Sequence, residues 1–211
     1  MNYSVIIVAA GKGTRMNLGY NKVYYRVDGK TILERTMKVF EEDKRCSQII
    51  IVTEGLDYKQ HTNRFSGKIV IVGGGKTRQE SVENGLFAVK EDIVFVHDGA
   101  RPYVSKECIN RLCKSMESND AALLMVPAKD TIKSVKDGYI EYTPLRETLM
   151  HAQTPQVFKT ALLLSCYKKA KLDNFVGTDD ASLVEKYGNT RIAVVEGDYK
   201  NKKITTTEDL D

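Results

Sequence analysis

The stretch Ser4-Val5-Ile6-Ile7-Val8-Ala9-Ala10-Gly11-Lys12-Gly13-Thr14-Arg15-Met16 decides the fold. A run of β-branched residues ends abruptly in small residues and glycines, with cations close by. Such a run reads as a strand buried on both faces. The glycine loop then falls beyond the strand's carboxyl end, where open α/β sheets bind ligands. Gly11 and Gly13 let the backbone approach a ligand closely, and free N–H groups there can hold phosphate oxygens. A plain tight turn would use the same residues. Met16 stands where a dinucleotide fingerprint has its third glycine, so a Rossmann fingerprint is excluded.

Working outward, the pattern recurs. Segments 48–53, 68–72, 93–97, 121–126 and 191–195 read as further strands, and 31–42, 78–90, 105–118, 159–170 and 179–187 as helices. Thr31, with Glu34 three residues on, forms a capping box, and Ile32, Leu33, Thr36, Val39 and Phe40 give a helical stripe. The alternation predicts right-handed βαβ units. The expected fold is α/β: one domain over 1–211, with a doubly wound, mostly parallel, Rossmann-like sheet. Segment 130–146 breaks the rhythm. It alternates in a two-residue period and turns at Asp137-Gly138, which predicts a protruding β-hairpin arm. An isolated hairpin is marginal, so the arm lies on its own domain or reaches a second subunit.

Composition bounds the partners. The chain has 211 residues, 42% hydrophobic and 28% charged, which is globular and not disordered. No run approaches the roughly 18 apolar residues of a membrane helix. No basic segment precedes the apolar run that starts at Val5, so the expected compartment is the cytosol. Cys46, Cys108, Cys113 and Cys166 lie far apart, against zinc and against a disulfide scaffold. A net charge of +4 implies no nucleic acid unless the cations cluster.

They do cluster in sequence around the first loop: Lys12 reads as an ordinary surface lysine, and Arg15 and Lys22 flank the loop as candidates. Fixed cations there can meet the charge that builds on a departing pyrophosphate, without acid–base chemistry. Gly75-Lys76-Thr77 mimics the end of a Walker A loop, but Val70 occupies the required glycine position. Gly73-Gly74-Gly75, with Arg78 and Ser81, offers bare backbone to a base or sugar. Asp98 ends a predicted strand and faces the same crevice; one carboxylate there suits a magnesium ion otherwise held by phosphate and water, or caps the next turn. His97 reads as structural. Thr178 precedes a helix and can serve as its cap.

Taken in order, these segments resemble the 2-C-methyl-D-erythritol 4-phosphate cytidylyltransferase family. The resemblance rests on Ala9–Met16, Asn21-Lys22, Gly74-Gly75 with Arg78 and Ser81-Val82, and His97-Asp98-Gly99-Ala100-Arg101-Pro102. It continues through Lys129-Asp130-Thr131-Ile132-Lys133, Gln153-Thr154-Pro155-Gln156, Thr178-Asp179-Asp180-Ala181 and Asn201-Lys202-Lys203-Ile204-Thr205. The resemblance implies that a sugar phosphate attacks the α-phosphorus of CTP and expels pyrophosphate, with no covalent enzyme intermediate. It implies catalytic roles for Arg15 and Lys22 on the transition state, and for Arg146 and Lys203 on the attacking phosphate. It implies CTP contacts from Ala9, Ala10, Gly11, Gly13, Gly75 and Ser81. Arg101, Thr131 and Thr178 would bind methylerythritol phosphate, and Asp98 would lie near the metal and the sugar phosphate. It further implies a magnesium ion, and a homodimer in which the arm embraces a second chain.

Two positions depart from the family pattern: Asn21, where many relatives have proline, and Gly99, where many have alanine. The nearest rival is a ribitol-5-phosphate cytidylyltransferase, with the same fold and nucleotide but a different polyol. A nucleotide-binding sensor without catalysis would have no need of the transition-state cations, and a dehydrogenase would need the missing third glycine.

Overall fold

The computed structural model describes residues 1–11, 19–62 and 66–210. Seven strands form the central sheet: β1 (Tyr3–Val8), β4 (Cys46–Val52), β5 (Ile69–Val72), β6 (Ile93–Asp98), β7 (Ala121–Pro127), β10 (Met150–Lys159) and β11 (Ala193–Glu196). Their order is β11-β7-β10-β6-β1-β4-β5. β1 pairs in parallel with both β4 and β6, so the winding reverses between β1 and β6. That gap at the strands' carboxyl ends is the switch point where doubly wound sheets hold ligands.

The strands are buried on both faces because their side chains alternate between two apolar layers. Val5, Ile7, Ile49, Ile51 and Phe95 pack with Leu33, Met37 and Phe40 of α1 (Ile32–Glu42) and Ile109 and Leu112 of α4 (Lys106–Ser115). Ile6, Ile50, Val94 and Val96 pack on the other side. There they meet Val82 and Leu86 of α3 (Arg78–Leu86), Leu163 of α5 (Thr160–Leu172), and Leu183 and Val184 of α6 (Asp180–Tyr187). The four cysteines are free and buried. No helix among the described residues is long and apolar enough to cross a membrane.

The capping box of α1 forms on both sides, with Thr31 Oγ1 accepting from Glu34 N and Glu34 accepting from Thr31 N. Val39 is only half-buried, and Met37 takes its place in the core stripe. Helix α3 ends at Leu86, earlier than its sequence pattern suggests, and a short helix α2 (Gly55–His61) follows β4. The cap of α6 is Asp179, not Thr178; Asp179 closes a reciprocal box with Ser182. Beyond the sheet, β2 (Arg26–Val27) and β3 (Lys30–Thr31) form a small ribbon.

The arm is present: β8 (Ser134–Lys136) pairs antiparallel with β9 (Tyr139–Tyr142). Asp137 and Gly138 both have positive φ, 52° and 84°, the pairing a two-residue hairpin turn demands. Strand β10 is the element that the sequence pattern hides. It runs antiparallel between β6 and β7, and its register breaks between Ala152 and Gln156. The polar Gln153-Thr154-Pro155-Gln156 run reads as a strand breaker. In the fold it is a bulge whose side chains turn toward the switch point.

Candidate active site

A cavity of about 610 Å³ opens at the carboxyl ends of β1 and β6. Among its described lining are Ala9, Ala10, Gly11, Lys22, Gly75, Ser81, Asp98 and Lys203, eight of the residues expected from sequence. Gly13 and Arg15 lie outside the described residues. Arg101 is packed behind Asp98. Thr178 is exposed and, like Thr131 and Arg146 on the arm, is not part of this chain's cavity.

Two glycines permit the close backbone approach that shapes the cavity. A Cβ at Gly99 would stand 2.9 Å from Val8 O, so a side chain there would require the ends of β1 and β6 to shift slightly apart. A Cβ at Gly75 would lie 2.3 Å from Glu80 Cβ. Ser81 Oγ accepts from Gly75 N at 3.0 Å and donates to Thr77 O at 2.9 Å, so this hydroxyl folds the glycine loop onto the start of α3.

Asp98 is the electrostatic centre. It is 7% exposed, and its carboxylate faces three cations: Lys203 Nζ at 2.9 Å, Arg78 Nε at 3.4 Å and Arg101 Nε at 3.6 Å. Burial alone would raise its pKa, but Arg78, Lys203 and Arg101 outweigh that and hold it well below the usual carboxylate range. Arg78 also donates through Nη2 to Asp180 Oδ2 at 2.9 Å; Asp180 is fully buried and accepts from the Tyr167 hydroxyl at 2.5 Å. Desolvation disfavours the Arg78 charge, yet Asp180 and Asp98 raise its pKa above the ordinary guanidinium value. With Lys22, Lys76, Arg78 and Lys203 against Asp98 as the one carboxylate of the described lining, the cavity favours anions.

The bulge of β10 assembles this arrangement. Asp98 N–H donates to Thr154 Oγ1 at 3.1 Å, Thr154 Oγ1 lies 2.9 Å from His97 Nδ1, and His97 Nε2 lies 3.1 Å from Arg101 O. These bonds fit a neutral imidazole with its proton on Nε2. Burial lowers the His97 pKa to about 4, and a ring so enclosed is a structural group. Asn201 Nδ2 donates to Thr154 O at 2.8 Å, Arg101 Nη1 donates to Asn201 O at 2.7 Å, and Ile204 N donates to Ala100 O at 2.8 Å. These three bonds bring Lys203 from the end of the chain to Asp98. Gln156 accepts from Ala181 N and donates to Asp179 Oδ2, tying α6 to the same bulge.

Lys22 opens a single 3-10 turn, Lys22–Tyr24, and is buried. Asn21 caps that turn, accepting from Val23 N at 3.2 Å, and its side-chain amide donates to Ala9 O. Its φ of −66° is the angle a proline ring would impose, so the amide does by hydrogen bonding what a proline would do covalently.

The family described as 2-C-methyl-D-erythritol 4-phosphate cytidylyltransferase matches residues 3–211. The chain belongs to that family. The enzyme of that name from Caldanaerobacter subterraneus is 47% identical, covering all of this chain and 96% of its own length. That from Bacillus licheniformis is 44% identical over all of this chain and 93% of its own. The crystal structure of the Francisella tularensis 2-C-methyl-D-erythritol 4-phosphate cytidylyltransferase superposes with a TM-score of 0.87 at 36% identity. It covers all of this chain and 97% of that one.

In this member of the 2-C-methyl-D-erythritol 4-phosphate cytidylyltransferase family Arg78 lines the cavity, whereas the sequence pattern places it beside the glycine run and gives it no role of its own. It is the first residue of α3, where a cation opposes the helix dipole. That misplacement was the readable signal that Arg78 has carboxylate partners elsewhere. Asp180, Thr154 and Asn201 carried no such signal, since their roles depend on chain segments far apart in sequence.

Proposed function

We propose that the protein transfers a cytidylyl group from CTP to 2-C-methyl-D-erythritol 4-phosphate. The products are 4-diphosphocytidyl-2-C-methyl-D-erythritol and pyrophosphate, in isoprenoid precursor biosynthesis. The observation that carries this reading is the full-length family match, together with a cationic, glycine-walled cavity at the sheet's switch point. In the step itself a phosphate oxygen of the sugar phosphate attacks the α-phosphorus. A new P–O bond forms as the bond to the β-phosphate breaks, and pyrophosphate leaves with the electron pair. No protein nucleophile is required.

Each residue then has a physical task. Lys22 and Arg15 meet the charge that grows on the pyrophosphate. Lys203 and Arg146 hold the attacking phosphate in line, where correct placement is worth several powers of ten, on the order of 10⁵ or more. Backbone from Ala9 to Gly13 and at Gly75 receives the nucleotide, while Ser81 fixes the loop that presents it. Arg101 acts through Asp98 and Asn201 as well as on the sugar phosphate, and Thr131 and Thr178 supply hydroxyls to that substrate.

The donor set suits a magnesium ion. Asp98 is the one carboxylate of the described lining, so most of such an ion's ligands would come from phosphate and water. Such an ion, when bound, offsets the charge of the nucleotide phosphates. The arm supports a homodimer. Val135, Tyr139, Ile140, Tyr142 and Leu145 are all more than half exposed, an apolar surface that a second chain would cover. Thr131 and Arg146 of each chain would then serve the other chain's cavity. The enzyme would work in the cytosol, with no nucleic-acid or membrane partner.

The test is turnover of CTP with each of two acceptors, 2-C-methyl-D-erythritol 4-phosphate and ribitol 5-phosphate, followed by pyrophosphate release. Turnover with the methylerythritol phosphate is expected. Turnover with ribitol 5-phosphate alone overturns the reading.

A further inference from the structure

The segment that carries Lys22 is gripped by an aromatic stack outside the cavity. His61, the last residue of α2, has its imidazole 4.7 Å from the Tyr24 ring at 20° and 5.8 Å from the Tyr20 ring at 22°. Tyr20 and Tyr24 flank Lys22 by two residues on either side. The same imidazole therefore holds the chain both before and after the lysine. The anchor on the other side is firm. The Tyr24 hydroxyl lies 2.7 Å from Thr53 Oγ1, just past the end of β4, and Tyr24 is 3% exposed. Arg26 Nη2 donates to His61 O at 3.3 Å, which ties the helix end to the chain just downstream.

We propose that His61 is a positioning residue that acts through Tyr20 and Tyr24 to fix the backbone path of Lys22. This rests on the reading that Lys22 meets the departing pyrophosphate. The physical need is plain: a point cation on a flexible four-carbon stem stabilises developing charge only if its base is held in place. Asn21 fixes the turn at Ala9 from within the cavity, and the His61 stack fixes it from outside. The contribution lies in the ring faces, so a phenyl ring replaces the imidazole.

The experiment is a double-variant cycle on saturated turnover of CTP with 2-C-methyl-D-erythritol 4-phosphate, using H61A, H61F, K22A and H61A/K22A. H61A should lower kcat about ten- to a hundredfold, the scale of loss from a misplaced group. KM for CTP should stay within about twofold, and H61F should return kcat to within about twofold of the parent. In the K22A background, H61A should cost nothing further, because its effect runs through the lysine. Y20A, which removes the exposed ring of the stack, should reproduce the H61A kcat loss and serves if H61A does not fold. Parent-like kcat in H61A and Y20A, or losses that multiply in the double variant, would overturn the inference. K22A with parent-like kcat would instead remove the Lys22 reading on which it rests.

Discussion

Lys203 Nζ stands 2.9 Å from Asp98 Oδ2, and the lysine reaches that position because Ile204 N donates to Ala100 O. The loop that carries the cation is thus laced to the strand end that carries the anion. Asp98 also faces Arg78 and Arg101, so one carboxylate balances three cations. Removing it leaves those charges repelling one another in a partly buried site. Asp98→Asn is expected to cost about 2–3 kcal/mol, less than a fully enclosed pair because Lys203 and Arg78 keep some solvent contact. Urea denaturation measures it; an unchanged midpoint would contradict the network.

Arg78 bridges Asp98 and the fully buried Asp180. Arg78→Ala leaves the Asp180 carboxylate with the Tyr167 hydroxyl as its one side-chain partner among the described residues, which should cost about 3 kcal/mol or more. Arg78→Lys should recover little, because a point charge cannot span two carboxylates as a planar fork does. Urea midpoints of the two variants check this, and full recovery by lysine would refute the bridging role.

Stability should fall on acidification in two stages. The His97 pKa is lowered to about 4 in the folded protein by burial, from about 6.5 unfolded. A group depressed in this way contributes stability present above pH ~6.5 and lost as pH falls toward 4, up to about 3 kcal/mol. Asp98, also depressed, adds a second loss below about pH 4 as its unfolded counterpart protonates. Urea midpoints recorded from pH 7 to 4 should decline for the parent. His97→Gln should be less stable at pH 7 but flatter across that window; an equal slope would remove His97 as the cause.

The arm should set the assembly. Tyr139 is 80% exposed and Ile140 64% exposed, beside the turn at Asp137-Gly138. Light scattering should give twice the chain mass for the parent at micromolar concentration, and the single-chain mass for a Tyr139→Ser/Ile140→Asp variant. A monomeric parent would sink the dimer.

How much of this was written legibly in the chain depends on range. The buried strands, the Thr31 capping box and the Asp137-Gly138 turn follow from neighbours within a few residues, and all are present. So does the position of Gly11, which lines the cavity at the switch point. Strand β10 was illegible because Gln153–Gln156 is polar and contains proline, while its purpose is to bond Asp98, His97, Asn201 and Ala181. Residues chosen to serve distant partners disguise the local element. Arg78 was half legible: its cation at a helix start signals a partner, but only the fold supplies Asp98 and Asp180.

In the proposed reaction the cavity's cations act on the transition state and not merely on bound nucleotide. Lys22→Ala tests it most directly, with kcat for CTP and 2-C-methyl-D-erythritol 4-phosphate measured beside the Kd for CTP. The expected result is a loss in kcat of about a hundredfold or more, with Kd changed only a few fold, about 3 or less. Equal losses in kcat and in CTP affinity would contradict it, and would describe a protein that only holds its nucleotide.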